Sequence, residues 1–223
     1  MKKDFSLHSG ERIHFVDAGL LTTDCITRYE YIAGDLRGAN RRLVGADVFT
    51  GNGYGANILA RTLDATIFGI DGSTEAIAQA TASYRSANLF FSAKLFPFEL
   101  PREMFDFVAS IESLEHVREY EAFAAMICRS VRIGGRLYLS VPNEERVVLS
   151  RRNYPWHYRH FLAHELDALV AKYGMRKLRG FSTSASVTKD GDVICPYWYQ
   201  TYGETLHPEG VADTHLMVYE RHA

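Results

Sequence analysis

Several features are scarce in this sequence. It has only three cysteines, Cys25, Cys128 and Cys195, which are too few and too far apart for a disulfide framework or a CxxC zinc site. No apolar run approaches the roughly 18 residues of a membrane helix. The first fifteen residues contain no apolar stretch of the kind found in a signal peptide. We therefore expect a cytoplasmic protein without a membrane partner.

An excess of charge of either sign is also absent. The 223 residues carry 25 Lys and Arg against 27 Asp and Glu, a formal net charge of −2. This balance argues against a general nucleic-acid binder, although a local basic patch is compatible with it. Hydrophobic residues make up 47% of the chain, which is ordinary for a folded domain. We predict a single domain over residues 1–223, with residues 1–42 as an N-terminal segment.

From residue 43 onward, short apolar runs alternate with helical patterns. The apolar runs predict strands at 43–49, 65–71, 88–96, 105–111, 136–141, 177–187 and 214–221. The helical periodicity predicts helices within 28–38 and at 57–63, 74–84, 119–131 and 162–173. The alternation indicates an α/β, Rossmann-like fold, with a mostly parallel sheet covered by helices on both faces. The last two strands have no helix between them, which predicts an antiparallel pair at one edge.

A glycine-rich turn joins the first predicted strand to the helix after it. Asp47 stands near the strand end, and Gly51 and Gly53 let the backbone turn tightly and let a ligand approach it closely. Asp71, followed by Gly72, ends the second strand about twenty residues later, where a carboxylate can accept hydrogen bonds from ribose hydroxyls. Together these features predict an adenosine-containing cofactor.

Two classes of cofactor fit this turn. The spacing Gly51-x-Gly53-x-x-Ala56 also matches the dinucleotide fingerprint, so an NAD(P) oxidoreductase is one alternative. However, Asp47 would place an anion beside a pyrophosphate, whereas an anion suits the ammonium and sulfonium groups of S-adenosylmethionine. The residues therefore favour the methyl donor. A glycine-rich turn without a ligand is the structural alternative.

Five segments in order carry a resemblance to class I S-adenosylmethionine-dependent methyltransferases. The group in question includes ubiquinone-biosynthesis O-methyltransferases and many sugar and natural-product methyltransferases. The segments are DVFTGNGYGANILA (47–60), FGIDGS (68–73), FDFVASIESLEHV (105–117), IGGRLYLSVPN (133–143) and HYRHFLAHEL (157–166). The resemblance covers about residues 28–221. It implies a seven-stranded sheet with an antiparallel last strand, and methyl transfer to a small molecule, most consistent with an oxygen acceptor. It also implies cofactor contacts from Asp47, Gly51, Gly53, Asp71, Gly72 and Glu112.

The chain departs from this group at two places. Phe49 replaces the first glycine of the group's turn, at the methionine end of the expected cofactor site. After the third strand, Ser92-Ala93-Lys94 replaces a segment that often contains an Asp near adenine. These departures motivate a second hypothesis, in which the chain is a catalytically weakened binding or regulatory protein with a methyltransferase fold.

The segment Glu112-Ser-Leu-Glu115-His116 follows the fourth predicted strand, and it has three interpretations. One helical turn would place Glu112, Glu115 and His116 on a shared face. In the first, structural interpretation, Glu115 and His116 complete a network at the strand end. In the second, His116 is a general base, since a neutral imidazole suits that work. In the third, the three residues bind a divalent metal together with a distant histidine, His157 or His160. That spacing resembles the metal set of some RNA 2′-O-methyltransferases and some ubiquinone O-methyltransferases. The sequence does not favour the metal.

Residues 143–161 form a basic and aromatic segment, which we predict to be a lid or the acceptor side of the site. Its four arginines and its aromatic side chains suit a phosphate, carboxylate or sugar on a small acceptor. A packed cover over the sheet is the structural alternative, and single-stranded RNA is less favoured by the charge balance. His160 is the second candidate base after His116. A second aromatic stretch, PYWYQTY (196–202), could form the far wall of the pocket.

Overall fold

The computed structural model describes residues 23–183 and 206–223. The helices are α1 (Thr23–Leu36), α2 (Tyr54–Thr62), α3 (Thr74–Ser83), α4 (Tyr120–Ser130) and α5 (Ala163–Ala171). The strands are β1 (Leu43–Val48), β2 (Ala65–Asp71), β3 (Leu89–Ala93), β4 (Phe105–Ile111), β5 (Val131–Pro142), β6 (Met175–Thr183), β7 (His207–Pro208) and β8 (Thr214–Arg221). A short 3₁₀ helix spans Leu114–His116. The aromatic stretch 196–202 and the end of the predicted strand 177–187 lie outside the described residues.

The strands form one mixed sheet in the order β3-β2-β1-β4-β5-β8-β6-β7. Strands β1 to β5 are parallel to one another, whereas β8 is antiparallel to both β5 and β6. The predicted Rossmann-like fold and the antiparallel last strand are thus confirmed. The sheet has eight strands rather than seven because the two-residue strand β7 pairs with β6. The last long strand is not at the edge, since β8 lies between β5 and β6.

Two apolar layers hold the helices against the sheet. On one face, α4 and α5 pack Phe123, Ile127 and Leu166 against the sheet, in a cluster of buried side chains that also contains Val48 and Leu139. On the other face, α1 and α2 place Ile32 and Leu59 in a cluster with Ile67 and Phe107. Burial on both faces explains why β1, β2 and β4 read as largely apolar runs. Because these strands are parallel, their carboxyl ends meet at one edge of the sheet, where ligands bind in such folds.

The helices begin and end close to where the sequence predicts, with two differences. Helix α2 begins at Tyr54, three residues before the predicted start, directly after the left-handed Gly53. Helix α1 begins at Thr23 and continues past Gly34 to Leu36. No helix within residues 23–183 and 206–223 is long and apolar enough to cross a membrane.

Candidate functional site

The glycine-rich turn connects β1 to α2 in a left-handed conformation. Gly51 has φ 57° and Gly53 has φ 84°, backbone angles that residues other than glycine rarely adopt. A Cβ at position 53 would lie 2.6 Å from the ring of Phe91, so packing also requires glycine there. A Cβ at position 51 would meet no atom of the described residues within 4 Å. The turn therefore presents its backbone to open space at Gly51.

Asp71 links this turn to the next helix. Its carboxylate accepts hydrogen bonds from the backbone N–H of Gly51 at 3.0 Å and from that of Ser73 at 2.8 Å. The side chain of Ser73 caps α3 by accepting from the N–H of Ala76 at 3.1 Å. Gly72 lies between Asp71 and Ser73 in the bend that follows β2. The structure thus places Asp71, Gly72 and Gly51 together at the ends of β1 and β2.

Asp47 is fully buried beneath the turn. Its carboxylate accepts from the hydroxyl of Tyr29 at 3.0 Å, from the hydroxyl of Thr50 at 2.6 Å, and from the backbone N–H of Ala56. Tyr29 reaches it across Gly55, where a Cβ would come within 2.0 Å of the tyrosine ring. Asp47 therefore ties α1, the turn and α2 together. Sequence reasoning missed Tyr29, because no local motif signals a contact between α1 and β1.

Burial raises the pKa of Asp47 from its ordinary 3.8 to about 6, although its hydrogen-bond donors act in the opposite direction. A carboxyl whose pKa is higher when folded stabilises the fold in its protonated form. Its contribution is present below about pH 4 and is lost as pH rises to about 6. A shift of about two units corresponds to about 3 kcal/mol.

We expect Asp47→Asn to remove this pH dependence, because the amide does not ionise. Urea denaturation measures the free energy of unfolding of each protein. We expect the value for wild type, relative to that for the variant, to fall by about 2–3 kcal/mol between pH 4 and pH 7. Asp64→Asn is the matched control, because the Asp64 side chain is 80% exposed and should give a flat difference. A flat difference for Asp47→Asn as well would contradict the pKa shift.

Phe49, which replaces a glycine in the resemblance, keeps a glycine-like backbone. Its φ is 65°, and the N–H groups of Phe49 and Thr50 both donate to the carbonyl oxygen of Ile70, at 2.7 and 3.0 Å. The Phe49 ring packs 5.0 Å from the ring of Phe123 on α4. The left-handed turn is therefore present despite the side chain, whose packing offsets part of the backbone strain.

Glu112 also has a left-handed backbone, with φ 48°, directly after β4. Its carboxylate accepts from the hydroxyl of Ser140 at 2.6 Å and lies 3.6 Å from the guanidinium of the buried Arg28. The predicted helical turn over 112–116 is wrong, because the 3₁₀ helix begins only at Leu114. Glu112 therefore does not share a helical face with His116. Sequence reasoning missed Arg28, which comes from α1.

Glu115, His116 and His157 form a cluster beyond the end of β4. One ligand atom from each of the three side chains lies within 4.8 Å of the others. The carboxylate of Glu115 is fully buried and lies 3.6 Å from Nε2 of His116. The rings of His116 and His157 meet edge to face, with 4.7 Å between centroids. The structure thus brings together two of the three residues of the predicted metal set and one of the two distant histidines.

His160 lies behind His157 and is itself fully buried. Its Nε2 is 2.6 Å from Nδ1 of His157, and its Nδ1 is 2.6 Å from the carbonyl oxygen of Val147. The ring of Tyr154 stacks on His157 at 5.2 Å. His160 therefore contacts the cluster through His157.

Residues 143–161 pack over the end of β4. The N–H of Tyr158 donates to the carbonyl oxygen of Glu115 at 2.7 Å, and Asn143 forms a parallel bridge with Phe161. Arg151 donates to the carbonyl oxygen of His157 at 2.9 Å. The basic segment thereby places His157 in the cluster with Glu115 and His116, and His160 behind it.

Comparison with known families agrees with this geometry. Residues 46–139 match the family model of a methyltransferase domain, a span that includes the glycine turn, Asp71 and His116. Over these residues the chain is similar to a methyltransferase domain. No curated protein matches the chain in sequence.

Solved structures share the fold over most of their length at low identity. One is a chain of the complex between the Haloferax volcanii Trm112 methyltransferase activator and a methyltransferase, at 20% identity and TM-score 0.67, covering 90% of this chain and 92% of that one. Another is an S-adenosylmethionine-dependent methyltransferase from Thermotoga maritima, at 18% identity and TM-score 0.63, covering 86% and 89%. A third is the 4+2 cyclase SpnF, at 18% identity and TM-score 0.66, covering 98% and 88%. Each of the three is at most 20% identical to this chain, so the likeness shows a shared fold.

Proposed function

We propose that the protein transfers the methyl group of S-adenosylmethionine to an oxygen of a small acceptor that carries a phosphate, carboxylate or sugar. The observation that carries this proposal is the pairing of Asp71 with the N–H of Gly51, at the edge where β1 and β2 end. Open space lies in front of that glycine. A buried carboxylate held in this way is suited to two ribose hydroxyls beside a close backbone approach.

The polar groups at the ends of β1, β2 and β4 fit the cofactor. Each oxygen of Asp71 accepts one backbone N–H, and a carboxylate oxygen is able to accept more than one hydrogen bond. Asp47 holds the turn and Tyr29 in place, so we assign it a positioning role rather than a direct contact with the methionine end. Glu112 and the guanidinium of Arg28 lie at the neighbouring end of β4, a polar pair suited to the amino-acid part of the cofactor. S-adenosylmethionine supplies an electrophilic methyl carbon on a sulfonium.

In the proposed reaction, an O–C bond forms while the S–C bond breaks and its electron pair stays on sulfur. The hydroxyl of the acceptor must lose its proton, and we assign its activation to His116, whose side chain is 27% exposed. A neutral imidazole there either accepts the proton or binds a cation that acidifies the hydroxyl. His160, being buried behind His157, acts as a positioning residue. Alignment of acceptor and methyl group supplies much of the rate.

The acceptor side is assigned to residues 143–161. Arg151 and Arg159 of this segment are engaged by the protein, through the carbonyl oxygen of His157 and the carboxylate of Glu165. Arg152 is exposed, so its guanidinium is the one we assign to an anionic group of the acceptor.

Calorimetric titration with S-adenosylhomocysteine tests the cofactor. We expect one site per chain with a micromolar Kd, about −8 kcal/mol, and no binding of NADH. Tight binding of NADH without S-adenosylhomocysteine would select an oxidoreductase instead. Binding of neither, by a folded protein, would favour a regulatory protein. Acceptors are then screened by transfer of a labelled methyl group.

A further inference from the structure

The arginines near the end of β4 differ in whether a carboxylate neutralises them. Arg146 and Arg159 each form an ion pair with an acidic side chain, at 3.8 and 2.7 Å. Three others have exposed side chains and no carboxylate partner within residues 23–183 and 206–223, namely Arg118, Arg151 and Arg152. Three positive charges without a matching negative charge are therefore concentrated on one part of a chain whose overall charge is close to balance.

The ring of Tyr158 brings two of these guanidinium groups to one place. The Cζ atom of Arg118 lies 5.3 Å from the centroid of the ring, and that of Arg151 lies 5.5 Å from it. The two guanidinium carbons are therefore no more than about 11 Å apart, since neither is farther than 5.5 Å from the same centroid. The face of an aromatic ring attracts a cation but carries no net charge that would neutralise two of them.

Both guanidinium groups lie near the cluster of Glu115, His116 and His157. Arg151 donates to the carbonyl oxygen of His157 at 2.9 Å, and the ring of His157 lies 4.7 Å from that of His116. Arg118 follows His116 by two positions, just beyond the 3₁₀ helix. An anion held by these two arginines would thus sit beside the histidine to which we assign the activation of the acceptor hydroxyl.

We propose that Arg118 and Arg151 bind a phosphate monoester group of the acceptor, with Arg152 beside them. A phosphate monoester carries a charge of about −1.5 to −2 at pH 7, so it matches two guanidinium groups, whereas a carboxylate matches one. The fork of N–H groups on a guanidinium also fits two phosphate oxygens at a time. Arg151 retains donors for this purpose, because its bond to the protein uses Nη1 and a guanidinium has five N–H groups.

This phosphate site deepens the proposed function and rests on it for the reaction. It restricts the acceptor to a phosphorylated small molecule with a hydroxyl that reaches His116. The phosphate takes no part in the bond changes, and its role is to hold the molecule so that the hydroxyl faces the imidazole and the methyl group. Because the charge of the phosphate is what the two arginines recognise, a dephosphorylated analogue of the acceptor should bind weakly.

The test is a calorimetric titration of the full-length protein at pH 8 and low salt, in a buffer without phosphate. The probes are phenyl phosphate, which is a dianion at this pH, and benzoate, a monoanion with the same ring. We expect one phenyl phosphate per chain with a Kd below about 1 mM, and at least about tenfold weaker binding of benzoate. Arg118→Gln and Arg151→Gln should each weaken the binding of phenyl phosphate by about tenfold or more. Arg118→Lys keeps the charge but loses the paired N–H groups, so its affinity should be intermediate.

Arg61→Gln is the matched control. It removes the same charge from an exposed arginine in the last turn of α2, near the start of β2, and should leave the Kd for phenyl phosphate unchanged. Circular dichroism confirms that each variant is folded. The proposal is overturned by a wild-type Kd above about 1 mM, by equal binding of benzoate and phenyl phosphate, or by an unchanged Kd in Arg118→Gln. Displacement of phenyl phosphate by a single-stranded RNA oligonucleotide lacking terminal phosphates would also overturn it, because the site would then accept phosphodiesters.

A titration of the same samples with S-adenosylhomocysteine separates the two proposals. Binding of phenyl phosphate without binding of S-adenosylhomocysteine would leave the phosphate site standing and remove the methyl-transfer assignment. Binding of S-adenosylhomocysteine without binding of phenyl phosphate would overturn the phosphate site and leave methyl transfer to an acceptor that carries a carboxylate or a sugar.

Discussion

Replacing Asp71 with alanine will weaken binding of S-adenosylhomocysteine at least about 100-fold. Hydrogen bonds to a charged group contribute about 1.5–3 kcal/mol each, and the carboxylate is assigned two with the ribose. The change also releases the N–H groups of Gly51 and Ser73, which the carboxylate holds at 3.0 and 2.8 Å. The glycine turn loses its link to α3 at the same time. Calorimetry on the purified variant measures the effect.

Two further variants make this result interpretable. Asp71→Asn keeps an acceptor oxygen for one backbone N–H but loses the charge, so we expect it to fall between wild type and Asp71→Ala. Glu75→Ala removes an exposed acid in the first turn of α3 and should leave the affinity unchanged. An Asp71→Ala variant that folds and binds S-adenosylhomocysteine as tightly as wild type would remove Asp71 from the cofactor site.

The central part of the fold could be predicted because its signals are local. Strands β2, β4 and β8 run over the predicted residues 65–71, 105–111 and 214–221. Their side chains are largely buried, so each reads as an apolar run with sharp ends. Ser73 also caps α3 as its position before the helix predicts. The two-residue strand β7 has no such signal, because two residues are too few to show an apolar or alternating pattern.

The glycine turn and Asp71 could also be predicted from the sequence, because strand, turn and acid follow one another at a regular spacing. Tyr29 and Arg28 were not. Both lie on α1 and reach the site only because α1 packs beside α2, so the contact from Tyr29 to Asp47 spans 18 residues.

The cluster at the end of β4 was predicted only in part. Glu115 and His116 are adjacent in sequence, but the helical turn assumed for them would have included Glu112. The left-handed backbone of Glu112 ends β4 and turns its carboxylate toward Ser140. His157 joins the cluster because the N–H of Tyr158 bonds to the carbonyl oxygen of Glu115, 43 positions earlier. Sequence spacing carries no information on such a contact, which explains why two distant histidines had to remain as alternatives.

Replacing His116 with alanine will lower kcat by about 100- to 10,000-fold, the usual contribution of a group that activates a reacting hydroxyl. The affinity for S-adenosylhomocysteine should change less than about threefold, because His116 lies beyond β4 whereas the cofactor contacts are assigned to the turn, Asp71 and Glu112. A large loss of kcat at constant cofactor affinity indicates an interaction made in the transition state. The measurement pairs initial rates of methyl transfer with calorimetry, and His164→Ala is the control for loss of a histidine.

Removal of metals then distinguishes the two ways in which His116 can act. If His116 binds a metal cation, EDTA will lower the kcat of the wild type to nearly that of His116→Ala and will have little further effect on the variant, because both treatments remove the same charge. If His116 is the base, EDTA will leave the wild-type kcat unchanged, and the rate will fall at low pH as the imidazole becomes protonated. Full turnover by His116→Ala would contradict both roles. His116 would then serve only to pack the end of β4 against residues 143–161.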